Sequence, residues 1–398
     1  MSNLNLEQLL APISLAHFFQ EYWEQKPLAI QRHQQYDYSG LFSSKQIESI
    51  LLFSHPRYPN VQIGQSDGRF SIDGEGMKTR TIHEYGTPDL NWLYQKYAAG
   101  GILFLDRIQD YSSTIAQLCR TLEQTLYAPV SATAYSVHQD ALGFAPHSHP
   151  HAVLMLQLEG SEVWRVESLP EAQSAPLEVE LQPGDFLYIP RRHLHYTVSS
   201  QQSSLHLAIN VQVYTWGDLI ASAISTLKLS DHSLYQSLPV GFLRRSNTDG
   251  LIQAQLTSLL DQLVQSDATS AIAHLTSRLI DQMQPLADGH FAQLEQLNEL
   301  ALNSVLVKRQ GMMCRVFKSG AQVGIQFPGN QVFAPVQVEP ILHFIAESER
   351  FRVSDLPNVL SDRSKLVLVR RLIQEGLLAI VPTAQTAIVS ESFFSIAR

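Results

Sequence analysis

The stretch GFAPHSHPHAVLMLQLEGSEVWRV, residues 143–166, decides the fold. It holds two apolar runs, Ala152–Leu158 and Val163–Val166, with a Glu-Gly turn between them. Short apolar runs that turn residues separate are typical of paired β-strands. The later stretch PGDFLYIPRRHLH, residues 183–195, repeats this pattern after a Pro-Gly-Asp turn. Together the two stretches predict a β-sandwich or a double-sheet jelly roll.

Three histidines in these stretches are spaced as metal ligands. Residues i and i+2 of an extended strand project from the same face, so His147 and His149 can both point into the barrel. His195 begins a later strand and can supply the third imidazole. Three neutral imidazoles leave coordination positions open for a substrate or dioxygen. An isolated His-x-His pair is more typical of loop histidines, but the strand context and the distant third histidine favour a metal site.

Helical periodicity flanks the strand-rich region on both sides. Before it, helices are predicted at Leu15–Trp23 and at the amphipathic segment Ser113–Leu126. After it, residues 216–300 are mainly helical, most clearly at Leu251–Val264 and Ile272–Met283. The apolar stripes of these later helices exceed what one small domain would bury. We therefore predict that this segment forms a homodimer.

The last hundred residues have the element order of a winged helix. The predicted order is helix, strand, helix and hairpin, at Val338–Ala346, Phe351–Val353, Arg363–Glu375, Leu377–Val381 and Ala387–Val389. Apolar residues needed for packing occupy much of the second helix, which leaves few positive charges for a DNA groove. The sequence therefore does not favour nucleic acid as a partner.

Length and composition agree with a folded protein of several domains. The chain has 398 residues, of which 44% are hydrophobic and 16% charged, and its formal net charge is −9. We predict an α+β protein with a jelly-roll domain and N-terminal helices at 1–214, a helical dimerisation domain at 215–300 and a winged-helix domain at 301–398. An acidic chain is a poor non-specific ligand for nucleic acid.

Cysteine content and hydropathy indicate the cellular setting. The two cysteines, Cys119 and Cys314, form no CxxC pair, so the sequence predicts neither a disulfide framework nor a zinc knuckle. No apolar stretch of about 18 residues indicates a membrane span. We therefore expect a soluble, cytoplasmic protein with no membrane partner.

The quoted stretches resemble the JmjC-type cupin oxygenases known as ribosomal oxygenases. The opening FFQEYWEQKPLAI and the later SSLHLAINVQVYTWGDLI resemble the same family, as does the order of the three domains. The resemblance implies a hydroxylase that uses iron(II) and 2-oxoglutarate. It also implies a protein or peptide substrate, with ribosomal proteins as candidates, and a homodimer.

The metal motif departs from the family at one position. The family has His-x-Asp with a distal His; His147 and His195 match, but His149 stands where the family has Asp. An imidazole in place of a carboxylate keeps a donor atom and leaves a bound divalent metal with net charge +2 instead of +1. Iron(II) or another first-row divalent metal is the expected cofactor.

The cosubstrate pocket departs at two further positions. Glu162 stands where the family has a Lys or Arg that binds the distal carboxylate of 2-oxoglutarate, and Thr133 stands where it has an Asn. Glu162 is expected to face the pocket and repel a dicarboxylate. Arg165 is the nearest candidate replacement, although its odd spacing from Glu162 predicts the opposite strand face. His206 matches a family histidine that could border the pocket.

Three functions remain open on this sequence. The leading hypothesis is a non-haem iron oxygenase of the ribosomal oxygenase type, with an altered metal triad and an altered anchor, for which the use of 2-oxoglutarate is uncertain. The second is a three-histidine cupin oxygenase that binds its organic substrate directly to the metal. The third is a non-catalytic module that binds a metal or a partner. The sequence assigns no catalytic residue beyond the metal ligands.

Overall fold

The described chain forms two compact units, residues 1–213 and residues 214–398. The computed structural model describes residues 4–32, 36–65, 88–167, 175–198, 202–230, 232–240, 242, 249–286 and 288–381. Among the described residues, no helix is long and apolar enough to cross a membrane.

The first unit combines short helices with ten strands. Its helices are α1 (Leu6–Leu10), α2 (Leu15–Glu21), α3 (Ser44–Ser49, continued by a π-helical turn at Ile50–Ser54), α4 (Leu90–Ala98) and α5 (Ser113–Leu126). Its strands are β1 (Leu28–Ile30), β2 (Val61–Gln65), β3 (Gly101–Leu105), β4 (Val130–Val137), β5 (Ala152–Glu159), β6 (Glu162–Val166), β7 (Leu177–Leu181), β8 (Phe186–Ile189), β9 (His195–Val198) and β10 (Ser204–Val211).

The ten strands form two antiparallel sheets that face each other. The larger sheet has the order β1-β8-β5-β10-β4-β3-β2, and the smaller has the order β7-β6-β9. Side chains of both sheets share one buried cluster, in which Met155 of β5 meets Trp164 of β6. The predicted double-sheet jelly roll is therefore confirmed.

Both faces of the central strand β5 are covered, which explains its unbroken apolar sequence. Leu154 and Leu156 point to the cluster that includes the helices, whereas Val153 and Met155 point to the cluster between the sheets. Alternation along the strand therefore separates residues that stabilise the fold from residues that face the interior of the barrel.

A glycine fixes the start of the histidine-rich loop. Gly143 has a φ of +86°, and a Cβ there would lie 2.6 Å from the backbone oxygen of Thr197. The next residue, Phe144, donates its backbone N–H to Thr197 Oγ1 at 2.7 Å. Only glycine fits this close approach, which holds the loop against β9.

The second unit contains helices and two small sheets. Its helices are α6 (Trp216–Ser230), α7 (Asp249–Gln265), α8 (Ala268–Gln282), α9 (His290–Glu295), α10 (Glu339–Glu347) and α11 (Asp362–Gln374). Its strands are β11 (Val305–Lys308), β12 (Arg315–Ser319), β13 (Gln322–Phe327), β14 (Asn330–Pro335), β15 (Arg350–Arg352) and β16 (Leu378–Ile380). One sheet has the order β15-β11-β16 and the other β12-β13-β14.

The C-terminal elements follow the predicted order of helix, strand, helix and strand, as α10, β15, α11 and β16. The second strand of the predicted hairpin, Ala387–Val389, lies outside the described residues. The winged-helix assignment therefore stays a prediction. The sheet β12-β13-β14 was not predicted from the sequence.

Candidate metal centre

Backbone pairing brings two of the three candidate ligands together. His147 and His195 form an antiparallel bridge, in which each backbone N–H donates to the other residue's carbonyl at 3.1 and 2.8 Å. His149 lies two residues further along the extended loop and therefore on the same side as His147.

The three imidazoles converge on one point. One ligand atom from each of His147, His149 and His195 lies within 4.8 Å of the others. The ring centroids of His147 lie 4.8 Å from His149 and 4.3 Å from His195. The structure thus places all three predicted ligands in one cluster.

Backbone carbonyls select the tautomer of two ligands. His147 Nδ1 lies 2.8 Å from the Ala145 carbonyl oxygen, and His195 Nδ1 lies 2.8 Å from the His193 carbonyl oxygen. A carbonyl oxygen only accepts, so Nδ1 carries the proton in each ring and Nε2 keeps its lone pair. This is the usual way in which proteins orient metal-binding histidines.

Burial keeps the imidazoles neutral. Desolvation lowers the pKa of His195 to about 3 and that of His149 to about 4, with smaller contributions from the neighbouring histidines. The pKa of His147 is lowered by burial as well. Near pH 7 all three rings offer lone pairs and no positive charge. The cluster therefore fits a first-row divalent metal.

Neutral buried histidines make the metal-free protein sensitive to acid. An unfolded histidine takes up a proton near pH 6.5, whereas folded His195 does so only at about pH 3. Between these values the unfolded chain binds more protons, so the free energy of unfolding decreases as the pH falls below about 6.5. We expect a decrease of about 1 kcal/mol per pH unit from His195.

Denaturant unfolding of the metal-free protein between about pH 7 and 5 measures this decrease. The substitution His195→Asn should reduce the slope, while His343→Asn at an exposed position of α10 should leave it unchanged. An equal slope in the parent and in His195→Asn would show that His195 is not held neutral by burial.

The three histidines line a cavity inside the barrel. It has a volume of about 60 Å³ and is lined by Tyr135, Phe144, His147, His149, Val153, Met155, Trp164, His195, His206, Ala208 and Asn210. Aromatic rings and imidazoles dominate this wall. No lysine or arginine is among these described lining residues.

Of the four predicted pocket residues, only His206 lines the cavity. Glu162 is 2% exposed, and its Oε1 accepts the hydroxyl of Ser204 at 2.6 Å. The same oxygen lies 2.7 Å from His206 Nδ1. The expectation that Glu162 itself faces the pocket is therefore corrected, because its carboxylate pairs with His206 and Ser204.

Arg165 lies on the outer strand face, and its candidacy as a pocket cation is wrong. Its Nε lies 3.1 Å from a carboxylate oxygen of Glu167, and its Nη1 lies 3.8 Å from one of Glu178. The pocket-facing residue is its neighbour Trp164. Alternation along β6 explains this result, since adjacent residues project to opposite faces.

Thr133 contributes to the cavity indirectly. Its hydroxyl donates to Asp106 Oδ1 at 2.7 Å and accepts from Asn210 Nδ2 at 3.3 Å, and Asn210 lines the cavity. Thr133 thus orients a wall residue and is not itself among the lining residues.

Sequence reasoning missed several residues around the site. Asn210 hydrogen-bonds with His151, and the ring of His151 stacks on His149 with centroids 4.6 Å apart. The i, i+2, i+4 spacing of the three loop histidines was the available signal for His151. The aromatic residues of the cavity wall gave no such signal in the sequence, because buried aromatic residues are common in any core.

Comparison with known proteins agrees with the fold. Residues 105–219 match the JmjC domain family. It is 32% identical over 243 residues to the Branchiostoma floridae bifunctional lysine-specific demethylase and histidyl-hydroxylase NO66, covering 60% of this chain and 38% of that protein. It is 31% identical over 238 residues to Rattus norvegicus ribosomal oxygenase 1, covering 55% and 38%. The chain is similar to these ribosomal oxygenases and spans only about two fifths of their length.

Solved structures support the same fold. The Escherichia coli ribosomal oxygenase YcfD superposes with a TM-score of 0.56 at 17% identity, covering 93% of this chain and 99% of that chain. A complex of YcfD with cobalt and 2-oxoglutarate gives a TM-score of 0.52 at 16% identity. At this identity the likeness establishes the fold and not the chemistry.

Proposed function

We propose that this chain is a metal-dependent oxygenase in which His147, His149 and His195 hold iron(II) or another first-row divalent metal. The observation that carries the proposal is the cluster of three neutral imidazoles at an aromatic-walled cavity. The names of the relatives support an oxygenase, and the YcfD complex contains a metal together with 2-oxoglutarate.

The metal supplies oxidising chemistry that amino-acid side chains lack. The chain's own residues position and shield it. The carbonyls of Ala145 and His193 hold two imidazoles with Nε2 free. Phe144 and Trp164 stack with ring centroids 5.9 Å apart and exclude water from one wall of the cavity, which strengthens polar interactions inside it.

The substrate that fits the family is a side chain of a protein or peptide. The relatives are named ribosomal oxygenases and a histidyl-hydroxylase, so a ribosomal protein is the first candidate. We place the reaction in the cytoplasm. The iron-loaded protein is incubated in air with ribosomal proteins and 2-oxoglutarate, whose oxidation to succinate and carbon dioxide supplies the two electrons, and mass spectrometry tests for a gain of one oxygen atom.

The cavity wall favours the second candidate, an oxygenase that does not use 2-oxoglutarate. The described lining residues include no lysine or arginine to pair with a distal carboxylate. Glu162 adds a carboxylate behind the wall, which opposes a dicarboxylate further. An organic substrate that binds the metal directly avoids this repulsion.

Three measurements test the three functions. Anaerobic addition of iron(II) and 2-oxoglutarate should give a visible charge-transfer band only if the 2-oxo acid chelates the metal. Absence of the band, with no succinate formed in air, would eliminate the 2-oxoglutarate mechanism. Metal analysis then tests the second candidate, since an empty site would eliminate it and favour a module that binds a partner.

We further propose a homodimer through α6 and α7. On α7 the side chains of Leu256, Leu260 and Val264 are 47%, 50% and 79% exposed, and their spacing of four residues places them on one face. Sedimentation at micromolar concentration should show a dimer, which Leu260→Glu should dissociate. Ser258→Glu on another face of α7 is the control, and a monomeric parent would refute the dimer.

A further inference from the structure

A buried polar cluster lies next to the metal-binding histidines. Glu162, Ser204 and His206 are 2%, 4% and 1% exposed. Glu162 Oε1 accepts the Ser204 hydroxyl and pairs with His206 Nδ1. His206 is the member of this cluster that lines the cavity of the metal centre. Whatever ligand fills the cavity therefore meets the imidazole and not the carboxylate.

Glu162 determines which nitrogen of His206 is available. An ionised carboxylate only accepts hydrogen bonds, so Nδ1 carries the proton that lies between the two side chains. In an imidazole that carries this single proton, the lone pair lies on Nε2, which is the polar atom that His206 can offer to the cavity. This is the arrangement in which a carboxylate fixes a histidine for contact with a ligand.

Aromatic rings hold His206 in place. The ring of Tyr135 stacks on the imidazole with centroids 4.8 Å apart and an interplanar angle of 15°. Trp164 meets it edge-on, with centroids 5.4 Å apart. A ring clamped in this way cannot rotate Nδ1 away from Glu162, so Nε2 stays the nitrogen directed away from the carboxylate.

The same wall contains a donor without a partner. The indole Nε1 of Trp164 is buried and has no hydrogen-bond partner among the described residues, and Trp164 lines the cavity. Buried donors in native proteins are nearly always satisfied. A ligand in this cavity can supply the missing acceptor.

We propose that the part of the cavity beside His206 and Trp164 binds a hydroxyl group of the ligand. A hydroxyl donates to His206 Nε2 and accepts from the Trp164 indole, which satisfies both atoms. A carboxylate offers no donor and is repelled by Glu162. An ammonium group offers no acceptor and leaves two of its three donors unsatisfied. This inference rests on the proposed metal centre and defines the ligand class that the centre takes.

Two probes that differ only at one end test the inference. 2-Oxoglutarate and 5-hydroxy-2-oxopentanoate share the metal-chelating 2-oxo acid and differ in a distal carboxylate or hydroxyl. Each is titrated anaerobically into the cobalt-loaded full chain, with binding followed by calorimetry. We expect the hydroxyl probe to bind at least about tenfold more tightly than 2-oxoglutarate. One hydrogen bond to a group that is itself paired with a charge supports a ratio of this size.

Three variants test whether the buried cluster causes the preference for the hydroxyl probe. Glu162→Gln should reduce the ratio toward one, because the amide can donate to Nδ1 and turn His206 Nε2 into a donor. Trp164→Phe should reduce it by removing the indole N–H. Glu178→Gln, which removes a carboxylate on the outer strand face, should leave it unchanged. Equal or tighter binding of 2-oxoglutarate by the parent, or binding of neither probe by metal-loaded protein, would overturn the inference.

Two separate readouts distinguish a failure of the proposed metal centre from a failure of this inference. Cobalt content is measured on the same samples, and a chain without cobalt refutes the proposed function. In that case the ¹⁵N spectrum of histidine-labelled, metal-free protein still tests the inference through the tautomer of His206. A proton on Nδ1 alone supports it, whereas a proton on Nε2 overturns it.

Discussion

His195→Ala is expected to abolish stoichiometric binding of a first-row divalent metal. The change removes one of three imidazoles, and at most two protein ligands remain. Removal of a residue that merely orients a ligand already costs about 10- to 100-fold in metal affinity, so loss of a ligand should exceed that range. Equilibrium dialysis with cobalt(II), followed by elemental analysis, measures the loss.

The same result is expected for His147→Ala, since this change also leaves at most two protein ligands. The control is His343→Ala, which removes an exposed histidine of α10 and should leave one metal per chain. Unfolding curves of all variants exclude a general loss of structure. Retention of one tightly bound metal by either site variant would contradict the assignment of the ligands.

Glu162→Lys is expected to create affinity for 2-oxoglutarate. The substitution replaces the buried carboxylate beside His206 with an ammonium group that can pair with the distal carboxylate of the cosubstrate. A charge-assisted pair of this kind contributes about 1–3 kcal/mol, or about 5- to 150-fold in affinity. Titration of 2-oxoglutarate into the cobalt-loaded parent and variant measures the gain.

The buried position of Glu162 calls for a second variant. Glu162→Gln keeps the volume and removes the negative charge, so it should give a smaller gain even if the lysine variant is unstable. Equal affinities in parent and folded variants would mean that Glu162 does not control the cavity. Tight binding by the parent alone would mean that another cation already anchors the carboxylate.

The metal centre was accessible from the sequence because its signal is local. The i, i+2 spacing of His147 and His149 predicts a shared direction in any extended segment. The third ligand, His195, could be predicted because it begins a strand that follows a recognisable Pro-Gly-Asp turn. The structure adds the antiparallel bridge between His147 and His195, which depends on pairing across 48 residues of chain.

The role of Glu162 was not accessible, because its partner is distant in the sequence. Glu162 begins β6 of the smaller sheet, and His206 lies on β10 of the larger sheet. Alternation correctly predicts that Glu162 points inward and Arg165 outward. It carries no information on which inward-pointing side chain of the facing sheet will meet Glu162. The sequence therefore predicted a carboxylate that faces the pocket, where the structure has a carboxylate paired with His206 and Ser204.

In the second unit, the sheet β12-β13-β14 was missed for a similar reason. Val323, Ile325 and Phe327 of β13 are all buried, but intervening Gly324 and Gln326 are buried too, so the alternation of apolar and polar residues does not report the two faces. Gln326 is buried because its side chain hydrogen-bonds with Ser277 and Asp281 of α8. Tertiary contacts of this kind override the local pattern.

The central claim is that His147, His149 and His195 bind one metal ion. The most direct test is a crystal of the full chain soaked with cobalt(II), with diffraction recorded at the cobalt absorption edge. We predict one anomalous difference peak, within coordination distance of one ring nitrogen of each of the three histidines. A peak bound by other residues, or no peak at this cluster in cobalt-saturated crystals, would contradict the account.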